Sequence, residues 1–205
     1  MSSNRSSMTG SRSSMTDVAL IAVFAALIAT VTVWVPGINV PGSTVPITLQ
    51  TLAIGLTAFI LGPWRAFAAT TLYLLVGFAG LPVFAGQSAG LGVLAKPSAG
   101  YLLSFPLYAL VVGFASSWVL RRGLKWAVGG LFLAGLVGSI LVVHPMGILG
   151  LMRNADLTFS KALAVDMIYW PGDVIKTAVA AVIAIAVHKA FPALAVRRYR
   201  LAEAV

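Results

Sequence analysis

Charge is confined to the seams of this chain. Asp, Glu, Lys and Arg make up 9% of its 205 residues, and between the seams run six apolar stretches: 18–35, 45–61, 64–79, 101–120, 126–143 and 172–191. Each is close to the ~20 residues a helix needs to cross the hydrocarbon core of a bilayer. Hydrocarbon cannot hydrogen-bond exposed backbone, so only helices and closed barrels span it. No strand-type alternation persists over enough segments for a barrel. The expectation is an all-α integral membrane protein with six transmembrane helices, the second and third short enough to be tilted or broken. A hydrophobic content of 60% and a mean hydropathy of +0.98 agree, and leave no room for a sizeable soluble domain. Cysteine is absent, which excludes disulfides, thiolate metal sites and cysteine nucleophiles.

The cations give an orientation. With the amino terminus in the cytoplasm, ten of them fall inside: Arg5, Arg12, Arg65, Arg121, Arg122, Lys125, Lys189, Arg197, Arg198 and Arg200. Only Lys96, Arg153 and Lys161 fall in outside loops. That asymmetry follows the positive-inside rule and requires an even number of crossings, so both termini are expected in the cytoplasm. The net charge of +9 therefore orients the protein, and no nucleic-acid fold signature accompanies it. Residues 1–16 hold seven serines and two arginines and read as a disordered cytoplasmic tail. A cleaved leader is the rival reading, but the apolar run that follows is long for one and lacks a small-x-small end. Residues 17–191 form the six-helix membrane domain and 192–205 a basic cytoplasmic tail.

Connections differ by side. Those assigned inside are tight, G-P-W-R and R-R-G-L-K, whereas those outside are long: 36–44, 80–100 and 144–171. Long, Gly- and Pro-rich, weakly charged loops near a membrane must be buried in protein or line a cavity. They read as lids dipping into the bundle.

Within the apolar frame, Asp173 and Lys176 stand out in Y-W-P-G-D-V-I-K. At i and i+3 they share a helix face, and a membrane segment keeps such charges only where they meet protein or water. Two readings compete. In one, the carboxylate accepts ligand N–H groups and the ammonium neutralises an anion. In the other, Asp173 caps the helix start and Lys176 pairs with it or snorkels outward. The loop G-Q-S-A-G-L-G (86–92) is not a dinucleotide fingerprint, since no strand precedes it, but Gln87, Ser88 and Lys96 offer polar contacts. His144-Pro145 reads as the end of the fifth segment, with the imidazole favourably placed at a helix carboxyl end. Ser139 lies five residues before it, without the elbow or third group of a serine hydrolase. His144 and His188 fall on opposite sides, which argues against a metal site. On the first segment Ala22, Ala26 and Thr30 step by four, as do Ala25 and Ala29, in the small-xxx-small pattern that lets helices approach closely. No Walker A motif is present, so energy for any transport comes from ion coupling or from separate ATPases, unless transport is passive.

Taken in order, V-P-I-T-L-Q-T-L (45–52), L-G-P-W-R (61–65), G-L-P-V-F-A-G (80–86), A-G-Y-L-L-S-F-P (99–106), H-P-M-G (144–147) and P-G-D-V-I-K (171–176) resemble the BioY family. These are the biotin-specific S components of energy-coupling factor (ECF) vitamin transporters. The resemblance spans residues 18 to about 191. It implies a bacterial inner-membrane, multi-pass protein whose pocket opens outside. It also implies no catalysis, no cofactor beyond the carried vitamin, and partnership with two ABC ATPases and a transmembrane T component, the latter docked at the small residues Ala22, Ala26 and Ala29. It places Asp173 on the ureido N–H groups of biotin and Lys176 on its carboxylate. Because biotin is longer than the spacing of neighbouring helix positions, the two side chains would have to splay apart or the tail fold back. Tyr101, Phe84 and Trp170 are expected to pack on the ring and chain. The sequence departs from the family at Gln87-Ser88-Ala89 and Lys96. Gln87 is expected as a ureido partner and Lys96 as an alternative carboxylate contact. The alternatives are a self-sufficient, homo-oligomeric biotin transporter, an S component for another vitamin, and an unrelated membrane enzyme, against which the missing catalytic constellation argues.

Overall fold

The structure is a computed structural model and describes residues 5–40, 43–192 and 194, with side chains from residue 15 onward. It is mostly helical, with no strands beyond two isolated bridges among the described residues. The helices are α1 (Arg5–Trp34), α2 (Gln50–Leu61), α3 (Pro63–Phe78), α4 (Ala99–Arg121), α5 (Ala127–Gly138), α6 (His144–Asn154), α7 (Phe159–Asp166) and α8 (Trp170–Ala190). A π-helical turn, Ser139–Val143, joins α5 to α6 without a break.

Among the described residues, four helical stretches are long and apolar enough to cross a membrane: Met15–Trp34, Ala99–Arg121, Ala127–Asn154 and Trp170–Ala190. At a rise of about 1.5 Å per residue, α2 and α3 fall short of a ~30 Å hydrocarbon core. Gly62, at φ 80°, and Pro63 at the first position of α3 make the turn between them. Proline is suited to that position because its missing N–H would have no helical partner there.

Two expectations change. The backbone is helical from Arg5, inside the stretch read as an unstructured tail. The basic tail lies, apart from residues 192 and 194, outside the described residues. The larger change is at His144-Pro145, which does not end the fifth segment. A proline inside a helix clashes with the carbonyl four residues back and lacks a donor, and the usual result is a stop. Here the π turn widens the helix one residue earlier, and the His144 N–H bonds to the Ser139 carbonyl. Such a bulge absorbs the proline and turns the next side chains onto a new face. The stretch read as a long loop, 144–171, therefore contains α6 and α7.

The core forms where α4 packs on α2, α3 and α6, and α8 packs on α2 and α5. Tyr73, Tyr108, Phe59, Ile28, Ile54 and Leu131 are its largest fully buried members. Gly100 lets α4 meet α6 backbone to backbone: a Cβ there would collide with the Met146 carbonyl, and Gly150 faces it. A smaller apolar cluster of Val45, Ile148, Leu151, Ala162 and Tyr169 holds the segment before α2, which folds back through paired Ile38 and Ile47 backbones at 2.8 and 2.9 Å. Large apolar side chains such as Trp118, Leu133, Leu141 and Ile175 lie exposed around the outside, as a lipid-facing surface requires.

Candidate ligand-binding site

A cavity of about 490 Å³ lies between the segment 44–51, the loop 84–98, the start of α4 and the start of α8. That volume is within the range for small-molecule sites. Every wall belongs to one end of the bundle, opposite the Gly62-Pro63 and Arg122–Trp126 turns. The loop wall is shaped by two short 3₁₀ turns, Ala85–Gln87 and Leu91–Ala95. Gly77 admits the Phe84 ring, which occupies the space a Cβ would take, and Asn154 Nδ2 donates to the Leu94 and Lys96 carbonyls at 2.8 Å each.

Asp173 and Lys176 line this cavity together. Lys176 Nζ lies 2.5 Å from Asp173 Oδ1 and donates to the Thr48 carbonyl at 3.3 Å. Thr51 Oγ1 donates to the same carboxylate oxygen at 3.1 Å. Both charged residues are buried, at 4% and 8% exposure, so neither would be tolerated without the other. The side chains do not splay: they present an acceptor beside a donor at one place in the wall.

Phe84, Tyr101 and Lys96 also line the cavity, Lys96 from the loop. Gln87 does not. Gly86 at φ 66° and Gln87 at φ 54° make a left-handed turn that leaves the Gln87 side chain exposed, while its neighbours Gly86 and Ser88 form the wall. Trp170 is also off the wall. Its ring lies against His144, centroids 4.9 Å apart and planes 32° apart, and its Nε1 donates to Asp166 at 2.9 Å. At the first position of α8, Trp170 is held by these two contacts rather than by the cavity. On α1, Ala22 and Ala26 are exposed, whereas Ala29 is partly buried against the core.

Several cavity residues escaped the sequence reading. Gln50 is buried at the head of α2, accepts from Thr48 and donates to Tyr73 at 2.9 and 2.8 Å. Tyr73 in turn donates to the Val83 carbonyl of the loop at 3.1 Å. Tyr169 donates to the Val45 carbonyl at 2.8 Å and meets Ser43, and burial raises its phenol above the ordinary range, which keeps it a donor. Behind the wall, Asp166 is fully buried. It accepts from Tyr101 at 2.7 Å, from Trp170 and from His144 Nδ1 at 3.0 Å, so one carboxylate ties α4, α6 and α8 to the end of α7. His144 is thus an interior residue of a continuous helix, not a histidine at a carboxyl end. The signal available in the sequence was scarcity: with five acidic residues in the chain, an Asp beside apolar segments is a candidate by default.

The sequence model of the BioY family matches residues 3–193. The Biotin transporter BioY of Rhizobium etli is 37% identical over 183 residues, covering 88% of this chain and 97% of that protein. The Probable biotin transporter BioY of Bacillus subtilis is 36% identical over 174 residues, 85% of this chain and 91% of its own length. Among solved structures, the S-component for biotin from an ECF-type ABC transporter superposes with a TM-score of 0.80 at 24% identity, over 86% of this chain and 92% of that one. The chain belongs to the BioY family.

Proposed function

We propose that this member of the BioY family is the membrane subunit that captures biotin from outside the cell and delivers it inward with an ECF energising module. The observation that carries the reading is the Asp173–Lys176 pair in the cavity wall. A ureido ring offers N–H donors beside a carbonyl acceptor, which is the complement of a carboxylate beside an ammonium. Asp173 accepts the ureido N–H and Lys176 donates to the ureido oxygen. This shifts Lys176 from the carboxylate expected for it to the ring, because the 2.5 Å contact keeps both groups at one end of an elongated ligand. Lys96, on a different element of the same cavity, takes the biotin carboxylate. Tyr101 and Phe84 pack on the apolar ring and chain.

Six helices cross the bacterial inner membrane in this reading, α2 and α3 as the two short ones, with both termini in the cytoplasm. The tight basic turns at the end opposite the cavity support that orientation. The T component docks on the small-residue face of α1 at Ala22 and Ala26, with Ala29 beneath, and two ABC ATPases supply the energy. The test is calorimetry on the solubilised chain with biotin, and with thiamine and riboflavin as controls. Tight binding of biotin alone supports the reading, and no binding by folded protein refutes it. Comparison of biotin with its neutral amide assigns the lysines: the amide should recover little from Lys176→Ala and mask most of the loss from Lys96→Ala. The reverse pattern would return Lys176 to the carboxylate.

A further inference from the structure

Asp173 has two oxygens with different surroundings. Oδ1 already accepts from Lys176 and Thr51, which fills its two lone pairs. Oδ2 is the oxygen left for a ligand donor. It faces His144 Nε2 at 3.6 Å, a distance for an ion-pair contact rather than a hydrogen bond.

The imidazole has little freedom. Its Nδ1 faces Asp166 and its Nε2 faces Asp173, so the ring stands between two carboxylates, side chains that accept when ionised. Asp166 is itself held by Tyr101 and Trp170, and the indole covers one face of the imidazole ring. The π turn ahead of His144 is what brings it into the bundle. Among the described residues, Asp166 approaches this ring from α7, and Asp173 and the Trp170 indole approach from α8, while Tyr101 and Lys176 touch the two carboxylates.

We propose that His144 is a positioning residue that, anchored by Asp166, fixes the Asp173 carboxylate so that Oδ2 is aimed at the ligand. The proposal rests on the biotin reading above. It gives the fully buried Asp166 a role that the cavity lining alone does not.

A double-mutant cycle on the full-length chain decides it. His144→Phe keeps a ring against Trp170 and removes both nitrogens. It should weaken biotin about tenfold in the native background, within the range of couplings between contacting residues. In the Asp173→Asn background it should weaken biotin by less than about twofold, and in the Lys96→Ala background by the full factor again. Asp166→Asn should reproduce the His144→Phe loss and add nothing to it. Equal losses in every background would overturn the proposal and leave a structural tie. If wild-type protein bound no biotin, the functional reading would fail, and the proposal would be judged on thermal midpoints of the same four cycle members without ligand. Non-additive shifts would sustain the His144–Asp173 coupling, and additive ones would end it. If His144→Phe does not fold, His144→Gln and Asp166→Asn carry the same cycle.

Discussion

Both ends of this bundle bury charge, and they do so differently. At the end with tight turns, Arg65 meets Asp17 at 3.0 Å and joins α1 to α3. His188 is fixed nearby to the Phe59 carbonyl at 3.0 Å. These contacts connect helix to helix, and none of their residues lines the cavity at the other end. At the other end Asp166, His144, Asp173 and Lys176 form a connected series that stops at the wall of a cavity. The lesson is that buried charge alone does not identify a site in a membrane protein. A charge that borders a space with donor and acceptor side by side does.

The comparison can be broken most forcefully at Gly100. Gly100→Val drives a side chain into the α6 backbone, and overpacking of this kind costs about 3 kcal/mol or more where the neighbour is main chain. Thermal midpoint and biotin affinity should fall together. Gly129, on α5 near the opposite end, has open space where a Cβ would go, and Gly129→Ala should change neither.

Next in size is the separation of binding from stability. Asp173→Asn should weaken biotin by about 10- to 150-fold in calorimetry, the equivalent of a 1.5–3 kcal/mol charged hydrogen bond. Arg65→Gln should do the opposite. It removes the Arg65–Asp17 ion pair and lowers unfolding stability by up to about 3 kcal/mol, while folded protein keeps biotin affinity within about twofold. A large affinity loss from Arg65→Gln would erase the distinction between the ends. The smallest effect belongs to the loop. Asn154→Ala frees the Leu94 and Lys96 carbonyls, and each exposed hydrogen bond contributes about 0.5–1.5 kcal/mol. Biotin should leave a few-fold faster in stopped-flow displacement, with the thermal midpoint little changed.

The two ends were also unequally legible. Apolar length placed α4 and α8 to within two residues, and the turn chemistry of Gly62-Pro63 placed the α2–α3 boundary. The cavity end yielded less, because its geometry depends on exceptions to local rules. His144-Pro145 has the chemistry of a stop, and only a neighbouring π turn lets the helix continue. α7 was missed because F-S-K-A-L-A-V-D is short and carries two charges, so it has no membrane-length signal. Asp173 and Lys176 were readable because scarce charges in apolar sequence draw notice. Gln50, an uncharged amide at the head of α2, and Asp166, inside a stretch read as loop, gain their meaning from partners that are 23 and 22 to 65 residues away.

In the proposed reading the cavity end faces outward and receives biotin while the basic end faces the cytoplasm. The chain has no cysteine, so single cysteines can report this in whole cells. Ser88→Cys, in the cavity wall, should react with a membrane-impermeant maleimide in intact cells, and biotin should slow the reaction. Arg122→Cys should react only after permeabilisation. Reaction of Ser88→Cys only in opened cells, or at a rate indifferent to biotin, would contradict the account.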